Sequence, residues 1–225
     1  ALLYLHFSMM QIEQRIGNRS GEASTWHNLA SIELNQGNYD SAREMLEKSM
    51  KIGQQVGDKS GEASAWNALA NIDMSLGNYG SAREKLEKSM KIRQHIGDKS
   101  GEASTWNALA NIDIKQGNYA SAREKLMTSM KISQHIGDRS GEASTWNALA
   151  NIDMKKGDNN SARENFEVAL KIRQQIGDKS GEASTWNDLA TIDVTHGEYA
   201  MAREKIEKSL KIKQEIGDRS GEASA

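Results

Sequence analysis

WNALANID, Trp106 to Asp113, returns with small changes every 40 residues, beginning at Trp26, Trp66, Trp106, Trp146 and Trp186, which are all the tryptophans of the 225-residue chain. A fixed period of this length marks a solenoid of stacked supersecondary units. Each unit of such an array buries apolar surface against its neighbours and needs no central core. A hydrophobic content of 37% is therefore sufficient.

The unit around Asp58 to Gly97 shows what repeats. Gly57 reads as a left-handed helix stop, and Asp58 or Ser60 can cap the next helix by accepting a backbone N–H. Glu62 then falls in the first turn, where a negative charge suits the helix dipole. A first helix is predicted over 59–76, with Gly77 as the second stop and Asn78 as the second capping candidate. A second helix is predicted over 79–96, placing Ala82, Leu86, Ser89, Met90 and Ile96 on one face at three- and four-residue spacing. Of the 19 glycines only Gly53 and Gly80 lie outside three recurring slots, and proline is absent, as uninterrupted helices require. No period-two strand pattern occurs, so the expected fold is all-α, an α-solenoid of helical hairpins.

The expected organisation is one solenoid over 1–225. It comprises the second helix of a truncated repeat at 1–16, five repeats at 17–56, 57–96, 97–136, 137–176 and 177–216, and the start of another at 217–225. Ends that fall inside a unit read as those of a fragment. Leu2, Leu3, Leu5 and Phe7 would have lost a neighbouring helix, and uncapped solenoid ends self-associate.

Composition excludes several classes of function. Twenty-nine basic residues nearly balance 31 acidic ones along the chain, which is a solvated surface and neither a nucleic-acid stripe nor a basic membrane face. ALLYLHF at 1–7 is too short to span a bilayer. Without cysteine there is no disulfide framework or thiol nucleophile, which is compatible with the expected cytoplasmic location. His6, His27, His95, His135 and His196 occupy unrelated slots, suggesting neither a metal triad nor a catalytic base, and DKSGE is neither a calcium loop nor a P-loop. The expectation is a non-enzyme without cofactor or metal.

Trp66, Leu69, Ala70, Gly77, Tyr79, Ala82 and Leu86 resemble the signature of the tetratricopeptide repeat, in five copies along essentially the whole chain. Departures accompany the likeness. The unit has 40 residues where about 34 are usual, with the addition in KIRQHIGDKSGE at Lys91 to Glu102. This longer form resembles repeats of the Pins/LGN polarity adaptors and kinesin light chains. Gly97 stands in place of a terminal proline, and an aromatic of the first helix is acidic here, at Glu33, Asp73, Asp113, Asp153 and Asp193. The resemblance implies a right-handed superhelix whose first helices line a concave groove that binds peptides or partner proteins.

On that face Asn67 and Asn71, Asn107 and Asn111, and Asn147 and Asn151 are four apart, hence neighbours on one side of a helix. His27 with Ser31 and Asn187 with Thr191 continue the row. An amide both donates and accepts, so such rows can bond a peptide backbone without reading its side chains. The alternative is that the asparagines link adjacent repeats or face water. Ser64, Ser104 and Ser144 precede the row, and Met74, Ile114 and Met154 would give it an apolar edge. Lys115 and Lys155 would favour an acidic stretch of ligand, or are solvated lysines suited to a helix C-terminus. The tryptophans are assigned to packing, and the acidic stripe with Arg43, Arg83, Arg123, Arg163 and Arg203 to repeated ion pairs, Asp113 lying opposite Arg123. In the irregular unit Asn159 stands where the others have tyrosine, and Phe166 is expected to fill the space, a looser hinge being the alternative.

The expected function is a scaffold holding a protein or peptide segment in the groove. One alternative is the sensor or spacer arm of a larger signalling protein. A second, single-stranded RNA binding, conflicts with the neutral charge.

Overall fold

In four of the long turns an aspartate and a glycine act together, and in the first Asn18 takes the place of the aspartate. Asp58, Asp98, Asp138 and Asp178 all accept a hydrogen bond from the backbone N–H of the glycine three residues on, at 2.8–2.9 Å. A Cβ on Gly61 would collide with the Asp58 carboxylate. This recurring glycine is therefore kept for the space that the cap occupies. Gly57 and Gly77, at φ 76° and 78°, are left-handed helix stops.

The computed structural model describes residues 12–13 and 15–217. Ten helices follow: α1 (Arg19–Asn35), α2 (Tyr39–Val56), α3 (Lys59–Ser75), α4 (Tyr79–Ile96), α5 (Lys99–Lys115), α6 (Tyr119–Ile136), α7 (Arg139–Lys155), α8 (Asn159–Ile176), α9 (Lys179–Thr195) and α10 (Tyr199–Glu215). There is no strand among the described residues. The fold is all-α, of the repeated helical-hairpin, solenoid class. The helix expected over 1–16 lies almost wholly outside the described residues, as do Leu2, Leu3, Leu5, Phe7 and the stretch 218–225.

The short turns depart from expectation. Asn38, Asn78 and Asn118 occupy the cap position but make no capping bond with their side chains. The amide of Asn38 donates instead to Glu33 at 2.9 Å, drawn to the carboxylate of the preceding helix. Asp158 alone among these slots caps, accepting from the Ser161 N–H at 3.1 Å.

The chain divides into two compact units, 1–112 and 113–225. In the first, Ala30, Ala42 and Leu46 of one hairpin pack with Leu69 and Ile72 of the next, flanked by Trp66 and Tyr39. Ala70, Ala82, Leu86 and Met90 pack in the same way with Leu109 and Ile112, flanked by Trp106. In the second unit Ala150, Ala162, Phe166 and Leu170 meet Leu189 and Ile192, with Trp186 against them. Every cluster thus joins one hairpin to the first helix of the following one, which is how a solenoid is stabilised. Trp66, Trp106 and Trp186 pack as assigned. The indole N–H of Trp66 donates to Glu62, and the Lys88 ammonium lies 4.4 Å from the ring centre.

Two packing expectations fail. Ile96, in the last turn of its helix, is 39% exposed, as are its counterparts Val56, Ile136 and Ile176 at 39–41%. Met74 and Met154 pack against the hairpin cores and give no separate apolar edge.

The acidic stripe forms repeated ion pairs with a specific connectivity. In the first unit Arg43 of α2 reaches Asp73 of α3 at 2.8 Å, while Lys85 and Ser81 of α4 bond the other carboxylate oxygen at 2.5 and 2.7 Å. In the second unit Arg123 reaches forward to Asp153 at 2.5 Å and Arg163 to Asp193 at 2.8 Å. Asp113 is bonded by Lys125 at 2.6 Å and Ser121 at 2.7 Å. The expected match of Asp113 with Arg123 is thereby corrected: the longer arginine spans to the next hairpin and the lysine serves its own.

Candidate functional site

The first helix of each hairpin turns Leu, Ala and Ile into the packing and leaves one polar strip uncovered. On α3 this strip runs through Ser60, Ser64, Asn67, Asn71 and Ser75 at three- and four-residue steps. Asn71 and Ser75 are exposed and Asn67 is half-buried. On α5, also in the first unit, Asn107 is half-buried and Asn111 exposed, and on α1 the place of Asn67 is taken by half-buried His27. Burial holds the His27 imidazole below its ordinary pKa. Beside His27 a cavity of about 270 Å³ opens between the starts of α1 and α3 and the end of α2.

In the second unit the strip of α7 carries half-buried Asn147 and Asn151 and exposed Lys155. That of α9 carries half-buried Asn187. Lys115, at the end of α5, is exposed as well. The structure thus places every expected residue on a first helix, at the predicted spacing within its helix.

The amides differ in what they have left to offer. The Oδ1 atoms of Asn67 and Asn187 are enclosed and have no hydrogen-bond donor among the described residues. Asn147 is engaged within the fold: its Oδ1 accepts from Arg173 at 3.3 Å, and its side chain bonds Asp188. Asn151 donates back to the Asn147 carbonyl at 3.0 Å. In this hairpin the asparagine links neighbouring repeats, as the alternative reading of the row allows.

Arg173 and Asp188 were not singled out as a pair from the sequence. Burial pushes the Asp188 carboxyl up to about 6, against the opposing effects of the Arg173 charge and the Asn147 bond. Burial likewise lowers the Arg173 guanidinium. The available signal was variation: Asp188 stands where Asn28, Ala68, Ala108 and Ala148 stand elsewhere, and Arg173 shares its slot with Gly53, Arg93, Ser133 and Lys213.

Among the described residues no group of three or more His, Cys, Asp and Glu side chains is placed to hold a metal ion. No described helix is long and apolar enough to cross a membrane.

Similar solved structures share the fold. BtubC (BKLC) from P. vanneervenii is 18% identical, with 96% of this chain and 91% of that chain covered and a TM-score of 0.73. The Rap conjugation gene regulator of plasmid pLS20, solved in complex with the Phr* peptide, is 13% identical over 94% of this chain and 59% of its own, with a TM-score of 0.81. A signal transduction ATPase with numerous domains and a tetratricopeptide repeat sensor, from Pyrococcus horikoshii, is 19% identical over 96% of this chain and 33% of its own, with a TM-score of 0.71. The chain therefore spans less than two thirds of the Rap regulator and a third of the signal transduction ATPase. No curated protein matches the chain. A family model described as tetratricopeptide repeat matches residues 21–95, 61–135, 101–175 and 141–215, and the chain belongs to the tetratricopeptide repeat family.

Proposed function

We propose that the chain is a protein-interaction module that binds an extended peptide segment along the polar strips of its first helices. Members of this family generally mediate protein–protein interaction, and the Rap regulator was solved with a peptide. The observation that carries the reading is the pair of enclosed, donorless oxygens at Asn67 and Asn187. A buried acceptor without a donor is costly, and a small side-chain rotation toward a peptide N–H would satisfy it. In the first unit Asn71, Asn107 and Asn111 add amides to the strips and His27 takes the place of one; in the second Asn151 adds another, and Lys115 and Lys155 offer cations to an acidic stretch of a partner.

Selection from a displayed peptide library, followed by titration of the enriched peptide, tests the reading. Replacing Asn67, Asn107, Asn111 and Asn187 by alanine should weaken binding at least about tenfold, since each lost bond is worth roughly 1 kcal/mol. The helical circular dichroism should stay unchanged. Asn147 is left intact because its amide joins two repeats. Unaltered affinity in this variant, or failure of the selection to enrich any peptide, defeats the proposal. The sensor arm of a larger signalling protein is the second reading, favoured by the likeness to the Pyrococcus horikoshii protein with its tetratricopeptide repeat sensor.

A further inference from the structure

One slot of the repeat, near the end of each second helix, holds Gly53, Arg93, Ser133, Arg173 and Lys213 in turn. Where the residue is arginine, the guanidinium fills a crevice against the start of the next first helix. In the first unit Arg93 is only 9% exposed and donates to Asp98 Oδ2 at 2.6 Å and to Ser89 Oγ at 3.1 Å. In the second unit Arg173 donates to the Gly181 carbonyl at 2.9 Å and to Thr185 Oγ1 at 2.5 Å, with its Nε 3.8 Å from Asp178.

At Gly53 the same crevice has no side chain to fill it, and here the cavity of about 270 Å³ lies. Its lining keeps the acceptors that Arg93 uses one repeat later. Asp58 is the counterpart of Asp98. Its Oδ1 accepts from the Gly61 N–H at 2.8 Å, and no cation among the described residues pairs with it. Ser49, the counterpart of Ser89, donates to the Ala23 carbonyl at 2.7 Å and retains its own lone pairs for a donor in the cavity. His27, Ser24, Asn28 and Ser64 complete a polar wall. Burial lowers the His27 pKa and so favours its neutral form beside the cavity.

We infer that this cavity is a receptor for the guanidinium of an arginine side chain on the bound peptide, which would take up the bonds that Arg93 makes within the chain. The inference rests on the peptide-binding reading of the strips and adds the chemistry of one ligand residue. A planar guanidinium suits a carboxylate beside a hydroxyl, because its fixed fork of donors can meet both acceptors together.

The test uses small probes and needs no natural partner. N-acetyl-arginine amide is titrated into the full chain, with N-acetyl-citrulline amide, its uncharged isostere, as control. Backbone NMR signals of Gly53 and Gly61 report the result. The arginine probe should shift them saturably, and the citrulline probe should not. Asp58→Asn keeps an oxygen for the Gly61 cap but removes the charge, and should weaken the arginine probe at least about tenfold. Gly53→Arg should abolish binding by filling the crevice from within. Gly53 has an ordinary helical φ, and a Cβ there meets nothing nearer than 3.6 Å, so this variant should keep its helical circular dichroism, which is checked alongside. Equal response to the two probes, no shift up to the solubility of the arginine probe, or binding retained in Gly53→Arg would each overturn the inference. Asn67, Asn107, Asn111 and Asn187 do not line the cavity, so the alanine variant of the strip should bind the arginine probe normally. The two proposals can therefore fail separately.

Discussion

Asp73→Asn is the sharpest test of how the hairpins are joined. The Asp73 side chain is 3% exposed, with Arg43 on one oxygen at 2.8 Å and Lys85 and Ser81 on the other at 2.5 and 2.7 Å. Burial alone would raise its pKa, but the bonds from Lys85, Arg43 and Ser81 outweigh it and hold the carboxyl at about 2, against an ordinary 3.8. That difference corresponds to about 2 kcal/mol of folding free energy. The folded-state value is depressed, so the contribution is complete above the unfolded pKa near 3.8 and is lost as pH falls through about 2. Asparagine keeps the shape but not the charge, and its NH2 group must face a cation. The variant should be about 2 kcal/mol less stable than the parent at pH 7, and the two should converge by about pH 2. Urea unfolding of both proteins from pH 7 to pH 2, fitted as coupled repeats because arrays of this kind need not unfold in one step, measures the difference. Titration of all other carboxylates cancels in the comparison. A gap that persists unchanged at pH 2, or no gap at pH 7, refutes the ion-pair account.

Asp188 should behave in the opposite sense, because burial raises its folded-state pKa to about 6. Its stabilising effect is complete below about pH 4 and declines as pH rises through 6. Asp188→Ala, which introduces the residue found at 68, 108 and 148, should gain about 3 kcal/mol at pH 8 and nothing at pH 4 by urea titration, and a gain confined to pH 4 would contradict this. Gly61→Ala must displace the Asp58 cap and should cost about 1 kcal/mol in thermal unfolding, despite the better helix propensity of alanine. Phe166 is 0% exposed, and Phe166→Ala should cost about 3–5 kcal/mol, whereas a loss under 1 kcal/mol would mean the core there is not close-packed.

Local patterns were legible in the sequence, and reach was not. The 40-residue period, with glycine stops at 57, 77 and 97, predicts helices over 59–76 and 79–96, and the structure has them at 59–75 and 79–96. The Asn67–Asn71 spacing likewise puts both side chains on the uncovered strip. Period counting, however, gives the face of a residue and not the neighbour it meets. Arg123 and Lys125 are two residues apart on one helix, yet one bonds Asp153 of the next hairpin and the other Asp113 of its own. The amide row has the same limit. Asn147 differs from Asn67 in what surrounds it, since Arg173 and Asp188 meet it from two other helices. The Gly53 cavity has no mark in the sequence, because a glycine outside the recurring slots reads as an irregularity. Its meaning lies in the arginines that occupy its slot in other repeats.

The acidic residue in place of the family's aromatic can be understood from what nearly identical units lack. Alanine-rich faces that repeat every 40 residues pack by small, non-directional contacts, and such contacts leave the stagger between hairpins weakly specified. A buried carboxylate that needs a cation from the preceding hairpin and another from its own is satisfied only at one stagger. This device gives definition more than net stability, because burial opposes the charge at every node. Asp153 shows how little the node needs: Asn165 replaces the lysine found at 85, 125 and 205 and still donates to Asp153 at 2.8 Å, while Arg123 holds the other oxygen. What stays constant across these nodes is the arginine that crosses from one hairpin to the next, at Arg43, Arg123 and Arg163. The contact within each hairpin is kept with a changed residue, Lys or Asn, whereas the contact between repeats keeps its arginine.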